Sequence, residues 1–448
     1  MRPVATDSQD MGVADIRIPV EAGKVGRDMY QLVTSLYPIC RSITGDGVRE
    51  TLRRIGQHIP LSVHEVASGT PVFDWTVPKE WNIRDAYIKD PSGKRVVDFK
   101  RSNLHVVNYS VPVHRTMPLE ELKPHLHTLP EHPDWIPYRT SYYKETWGFC
   151  LSHRQCAELI AGEYEVCVDS SLEDGYLTYG ECCLPGETSE EVLFSSHVCH
   201  PSLCNDNLSG VSLAVFLAKY LQSRSNRYSY RFLFAPATIG SITWLARNER
   251  QTGRIKHGLI LACAGDPGKM TYKKSRRDDA EVDRAVAHVL KHSGGDHQIT
   301  EFSPWGYDER QFCSPGFNLP IGCLMRTPNG CFPEYHSSAD NLEFVRPEHL
   351  EDSYRKCLSI VDVLENNRAY LNQNPKCEPR LGKRGLYGGL DGKAQVERHE
   401  LALLWVLNFS DGDHALLEIA EKSGLEFSTL RQAADALCQH HLLELRPN

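Results

Sequence analysis

Residues 195–217 read SSHVCHPSLCNDNLSGVSLAVFL, and the placement of this stretch decides the fold. It follows the apolar run Glu191-Val192-Leu193-Phe194 and ends in a helical pattern of Val211, Leu213, Val215, Phe216 and Leu217. The polar residues between these runs therefore belong to a loop joining a core strand to a buried helix. Loops at strand ends are where α/β sheets place their chemistry. Within it, His197, Cys199, His200 and Cys204 offer nitrogen and sulfur, and Asp206 offers oxygen. Zinc accepts all three donor types. No short zinc signature of the CxxC or HExxH kind is complete here, so packed polar residues and buried thiols are the plain alternative.

Working outward, residues 163–169 and 176–182 alternate like strands. Residues 228–234 form another apolar strand, ending at Ala235-Pro236-Ala237-Thr238, and a helix follows from Gly240 to Leu245. The run GLILAC at residues 258–263 is a further core strand leading into Gly265-Asp266-Pro267-Gly268. Strand, polar loop and helix in repeated order predict an α/β sandwich on a mixed or mostly parallel sheet. Residues 312–320 and 321–325 supply a pocket wall and another strand, and a helix after Pro347 closes the domain.

Upstream, helices are expected over residues 29–39 and 48–58, joined by a turn in which Arg41 and Asp46 either pair or meet substrate. From residue 61 the period changes to short strands at 61–66, 72–77, 95–99 and 104–107, which predicts an inserted β subdomain at 70–115. Trp75 and Trp81 are expected in its core. His125, His127 and His132 lie in a Pro-rich connection and read as turn or surface histidines. The aromatic stretch WIPYRTSYY, 135–143, either walls a pocket or packs in the core. Residues 25–69 and 116–375 form the main domain in this reading. A polar, Gly- and Pro-containing boundary at 375–390 then leads into a small helical module at 390–448. Its third helix, 428–440, has Arg431 as its one fixed positive charge, which argues for docking rather than nucleic-acid reading.

His197, with Asp206-Asn207 and Leu208-Ser209-Gly210 after it, resembles the HxD…DNxSG signature of M28-type zinc aminopeptidases, Cys199 standing at the first aspartate. The chain more closely resembles a bacterial family with an aminopeptidase-like domain followed by a winged helix. The matching motifs are RSITGDGVRETL at Arg41, FDWTVPKEWNIRDAYI at Phe73, SNLHVVNYSVPV at Ser102, HPSLCNDNLSG at His200, YDERQFCSPGFNLP at Tyr307 and PEYHSSADN at Pro333. The resemblance implies an aminopeptidase-like three-layer sandwich with a mixed sheet. It further implies zinc held by His197, Asp206 and His336, with Asp340 either accepting from His336 or capping a helix. Cys199, His200, Asp266 and Asp308 are further candidates to bind or orient the metal, and Tyr307, Arg310 and Tyr335 to meet substrate. Active M28 enzymes carry two consecutive glutamates where this chain has Ala237-Thr238, and another carboxylate where it has Ala262. Three remaining ligands would suffice for one zinc with a position open to water, and Glu309 or Glu334 would then supply the general base. Cys199 as a nucleophile beside His200 is a separate enzymatic reading. The function implied is hydrolysis of an amide near a free amine in a small peptide-like or biosynthetic compound; the alternative is a non-catalytic binding protein.

A chain of 448 residues exceeds one usual core, so two or three domains are expected. Fifty basic against 58 acidic residues, net −8, argues against a general nucleic-acid binder. Residues 1–23 contain no apolar segment and no run is long enough to cross a bilayer, which points to the cytoplasm and to reduced thiols for the fifteen cysteines. Nothing in the composition bars a homo-oligomer.

Overall fold

Period-two alternation with apolar residues on both sides builds the centre of the molecule. In the strand Glu191–His197, Val192 and Phe194 pack into one layer and Leu193 into the other. The strand Ser229–Ala235 divides Phe232 and Phe234 from Leu233 and Ala235 in the same way, and Ile255–Leu261 divides Leu259 and Leu261 from Ile260. A strand buried on both faces needs helices on both, and the computed structural model, which describes residues 23–386 and 394–446, supplies them. Eight strands run in the order Ser62–Ala67, Tyr176–Leu184, Ser229–Ala235, Glu191–His197, Ile255–Leu261, Ile321–Met325, Met270–Lys273, His297–Thr300. The middle four are parallel, while Tyr176–Leu184 and Met270–Lys273 run against their inner neighbours, so the sheet is mixed.

One face carries the helices Lys24–Leu36, Gly210–Gln222, Glu281–His292 and Pro347–Asn366; the other carries Ile239–Asn248 and the short turn Glu309–Phe312. Gly210–Gln222 is buried on nearly every side up to Ala218, as its largely apolar sequence requires. Among the described residues no helix is long and apolar enough to cross a membrane, and all fifteen cysteines are free thiols.

Arg231 ties three strands together. It lies on Ser229–Ala235 and binds Glu181 at 2.6 Å on one neighbour and Glu191 at 2.7 Å on the other, while the Trp244 indole donates to Glu181 at 2.7 Å. All four side chains are shielded from water. Arg231→Met should therefore lower stability by about 3–5 kcal/mol, because two carboxylates lose their cation in a poorly solvated place. Urea unfolding of the variant at pH 7 checks this.

Several expectations change. The inserted sheet, ordered Arg95–Asp98, Glu80–Lys89, Glu163–Glu173, Val113–Pro118, reaches well beyond 70–115 by recruiting a strand from after residue 160. Its small core holds Ala86, Ile88, Val97, Met117, Val166 and Val168, and neither tryptophan. Trp81 is buried in the main core, stacked 5.9 Å from Tyr109 and donating to the Ser110 carbonyl; Trp75 is 44% exposed on the short hairpin Pro71–Val72/Trp75–Thr76. In place of a strand at 104–107 the chain makes the 3₁₀ turn Asn103–His105 and a single bridge from Val106 to Phe149, because the Ser102 hydroxyl captures the Leu104 amide and starts a turn. Arg41 and Asp46 do not pair. Arg41 is buried and donates to the carbonyls of His200 and Leu36, whereas Asp46 lies at the surface beside Arg49.

The C-terminal module begins earlier than 390. The strand Ala369–Asn372 pairs with both Asp411–Ala415 and Leu443–Leu445, and the helices Ala394–Phe409, Leu416–Ser423 and Phe427–Gln439 complete it. The expected N-terminal tail, residues 1–22, and part of the 375–390 boundary lie outside the described residues. Leu403, Val406, Leu417, Phe427 and Leu430 join the same apolar cluster as Leu358 and Val361 of the α/β domain. Across this junction Arg431 donates to Asp362 at 2.6 Å, the Phe427 amide donates to His288 Nε2 at 3.0 Å, and Arg284 pairs with Glu421.

Candidate metal centre and active site

The parallel strand Glu191–His197 ends by presenting His197 at the carboxyl edge of the sheet, and the loop that follows returns Asp206 to the same place. Asp206 is fully buried, with Oδ1 at 2.9 Å from His197 Nε2 and Oδ2 at 3.0 Å from His336 Nε2. Three of the sequence candidates thus converge, though His197 and His336 face opposite oxygens of one carboxylate. Burial opposes ionisation of Asp206; the neighbouring His200 imidazole and the donation from His197 and His336 more than offset it and hold the carboxyl well below the ordinary carboxylate range.

The loop is held by amides and carboxylates rather than by helix propensity. Asp340 accepts the backbone N–H of Asn205 at 2.6 Å and of Asp206 at 2.9 Å, so it caps this loop and does not take the second nitrogen of His336. Asn207 accepts the Cys263 amide on Oδ1 at 3.1 Å, which fixes the orientation of its side-chain amide. Its Nδ2 then faces His197 Nδ1 at 3.3 Å and turns Nε2 toward Asp206. Asp266 accepts from Gly268, Thr327 and Asn205, all at 3.2 Å or less, and so anchors the loop from outside instead of replacing the missing carboxylate at Ala262. His336 sits at φ 55° and Cys263 at φ 43°, backbone geometry that non-glycine residues adopt at some cost and that clusters at functional sites.

His200 joins the same group: one ligand atom each from His197, His200 and Asp206 lie within 4.8 Å of one another. Burial drives its basicity well down, so it is neutral. Tyr138 stands edge-on to both His200 and His336 with ring centres 5.1 Å away, and hydroxyl to hydroxyl with Tyr142 at 2.7 Å, so these two tyrosines of the stretch 135–143 pack beside the site. Tyr307 stacks on His197 at 5.1 Å and Tyr335 on His336 at 4.0 Å. Burial pushes the Tyr307 phenol far above its ordinary range, so it remains a hydroxyl donor. Burial also raises the Cys199 thiol, which lies 3.6 Å from His200 Nδ1, and this removes the thiolate a nucleophile needs. Away from the site, His125 and His132 stack on Trp147 and Trp135, in keeping with ordinary turn histidines.

The acid groups divide differently from expectation. Glu309 is buried and ion-paired with Lys273, a partner not evident in sequence, whose ammonium also donates to the Trp305 carbonyl at 2.8 Å. That pairing engages the carboxylate a general base would need free. Arg310 is half-buried with its Nε unpartnered, and Glu334 is half-buried with no hydrogen bond from its carboxylate among the described residues. Asp308, in contrast, is buried toward His197 and Ser241 with Oδ1 unpartnered, and burial raises its carboxyl from 3.8 to about 6.

Two imidazoles and a carboxylate fit one borderline divalent cation such as zinc. They do not fit the pair of ions that additional carboxylates would hold, since Ala237 and Ala262 have no donor atoms.

Comparison with known proteins agrees with this architecture. A family model described as a domain of unknown function, DUF4910, matches residues 30–367, and one described as a winged helix-turn-helix matches 368–445. A Clostridium acetobutylicum protein named "Putative polysaccharide biosynthesis protein with aminopeptidase-like domain" is 56% identical over 424 residues, covering 95% of this chain and 98% of that one. A crystal structure of a "putative peptidase" from the same organism, also 56% identical, superposes with a TM-score of 0.91 over 94% of this chain and 97% of its own. A zinc aminopeptidase from Bacillus subtilis shares the fold at 11% identity, with a TM-score of 0.56 over 76% of this chain and 94% of that one. The chain belongs to the DUF4910 family, and its α/β domain, which shares the fold of the Bacillus subtilis zinc aminopeptidase, is joined to a C-terminal winged helix.

Proposed function

We propose that the chain is a zinc-dependent hydrolase that cleaves an amide or peptide bond beside a free amine in a small peptide-like or biosynthetic compound. The observation that carries this reading is the Asp206 carboxylate, buried and ionised, with one histidine on each oxygen at the carboxyl edge of the sheet. His197 and Asp206 would hold the zinc. When bound, zinc polarises a carbonyl and lowers the pKa of a water molecule. Tyr307 stacks on His197 with its hydroxyl against Cys263 Sγ, and Tyr138 and Tyr335 exclude water beside His336. Asp308 takes the proton that the ion-paired Glu309 cannot, since its oxygen is free and its affinity for a proton is near the working range.

Asp308→Asn separates this role from a structural one, because its two effects have opposite signs. Below about pH 4 the carboxyl is protonated in both folded and unfolded chains. As pH rises, the unfolded chain loses the proton first, near 3.8, while the folded chain keeps it until about 6. Stability therefore falls across that window and stays lower above it, by up to about 3 kcal/mol. The Asn variant should be more stable than the parent at pH 7 in the metal-free state, by denaturant unfolding, and should lose turnover.

A second reading, a binding protein without turnover, draws on Ala237 and on the sequestered Glu309. Aminoacyl amides, short peptides and N-acyl compounds, each assayed with zinc and with cobalt, decide between the two. Turnover supports the hydrolase. Saturable, metal-dependent binding with none would replace it by the second reading.

A further inference from the structure

We infer that the chain holds a single divalent ion on His197, His200 and Asp206, and that His336 is not a ligand but the partner that orients Asp206. This rests on the metal-binding half of the reading above and not on its hydrolytic half.

The oxygens of Asp206 divide the site into two sides. His197 Nε2 meets Oδ1 at 2.9 Å, and His336 Nε2 meets Oδ2 at 3.0 Å. An ion shared by His197 and Asp206 finds a third donor, because His200 offers a ligand atom within 4.8 Å of both; His336 is not in that group. An ion shared by His336 and Asp206 belongs to no such group of three among the described residues. Ala237 and Ala262, which stand where further carboxylates would be needed, offer no donor, and Asp266 is consumed by Gly268, Thr327 and Asn205. Two donors are too few for a stable zinc site, whereas three with an open position are the usual catalytic number.

His200 is also presented for the purpose. The buried Arg41 guanidinium donates to the His200 carbonyl at 2.9 Å and to the Leu36 carbonyl at 2.7 Å, which clamps the loop to the first helix. The imidazole is packed between His197, His336 and Tyr138 at ring separations of 4.9–5.1 Å. A side chain held at both backbone and ring loses little freedom when it binds an ion. The donor set of two imidazoles and one carboxylate selects zinc and its borderline neighbours over magnesium or calcium.

His336 then acts as outer partners of metal ligands do, fixing the carboxylate so that its other oxygen faces the ion. Its own ring is set by Tyr335, stacked at 4.0 Å.

Metal-free full-length protein titrated with zinc, and with cobalt to read the visible spectrum, gives the test. The parent should take one ion per chain. His336→Gln should still take one, with affinity reduced about 10–100-fold as for an outer partner. His200→Gln should lose more affinity than that and change the cobalt spectrum. Histidine-directed acylation of the unaltered protein, read by mass spectrometry, needs no variant to fold: one equivalent of zinc should protect His200 and leave His336 reactive. Two ions per chain, an unchanged His200→Gln titration and spectrum, or protection of His336 with His200 still reactive would each overturn the inference. A one-ion protein with these properties but no turnover leaves it standing and removes only the hydrolase. Turnover in a His200→Gln variant with full metal content does the reverse.

Discussion

Asp206→Ala is expected to abolish stoichiometric zinc binding and to lower the stability of the metal-free protein by about 3–5 kcal/mol. The side chain is fully buried, and its removal leaves two imidazole donors without the carboxylate they share. His197, itself almost wholly buried, has no water to turn to. Zinc at a hundredfold excess over its dissociation constant should stabilise the parent by about 2.7 kcal/mol and the variant not at all. Thermal unfolding with and without the metal reads both effects in one experiment. An equal zinc-induced shift in the two proteins would show that the ion binds elsewhere.

Removing residues 390–448 should leave an α/β domain that aggregates or unfolds at growth temperature. The strand Ala369–Asn372 would lose both of its neighbours, and the helix Pro347–Asn366 would expose the side that Phe427, Leu430 and Arg431 now cover. Phe427→Ala, a milder change at the same junction, should cost about 3–5 kcal/mol. Sedimentation and thermal unfolding of the two forms check these outcomes. The full chain should also show no duplex affinity that weakens with added salt. Arg431, the fixed positive charge of the third helix of the winged module, is engaged by Asp362 and shielded by the docked surface. A steep loss of DNA affinity between low and high salt would reverse this reading.

Much of the framework follows from local pattern. The core strands announce themselves because both their faces are apolar, and the helix Leu416–Ser423 falls where its period and the following Gly424 place it. Pairing between distant segments is another matter. Glu163–Glu173 alternates like any half-buried strand, and nothing local says that it joins Glu80–Lys89 instead of the sheet its successor enters. The same limit applies to the site. His197, Asp206 and His336 are marked by their motifs, but which carboxylate oxygen each histidine faces depends on side-chain geometry, and so does the proximity of His200. Arg41 and Asp46 have opposite charge and short separation, yet the competing demand of loop carbonyls turns the guanidinium inward. Lys273 lies 36 residues before Glu309, and only the folded sheet brings them together.

The strand Glu163–Glu173 of the inserted sheet is separated from Tyr176–Leu184 of the central sheet by only Asp174 and Gly175. Trp81, rooted in the main core, and the register of Glu80–Lys89 along that first strand make a second attachment. An insert joined this way has no hinge. It is fastened to the central sheet at two points, so a change at either attachment should be felt in both sheets. Motion at this surface is then left to single side chains, such as the exposed Trp75 against Tyr143, whose rotations are fast compared with domain movement.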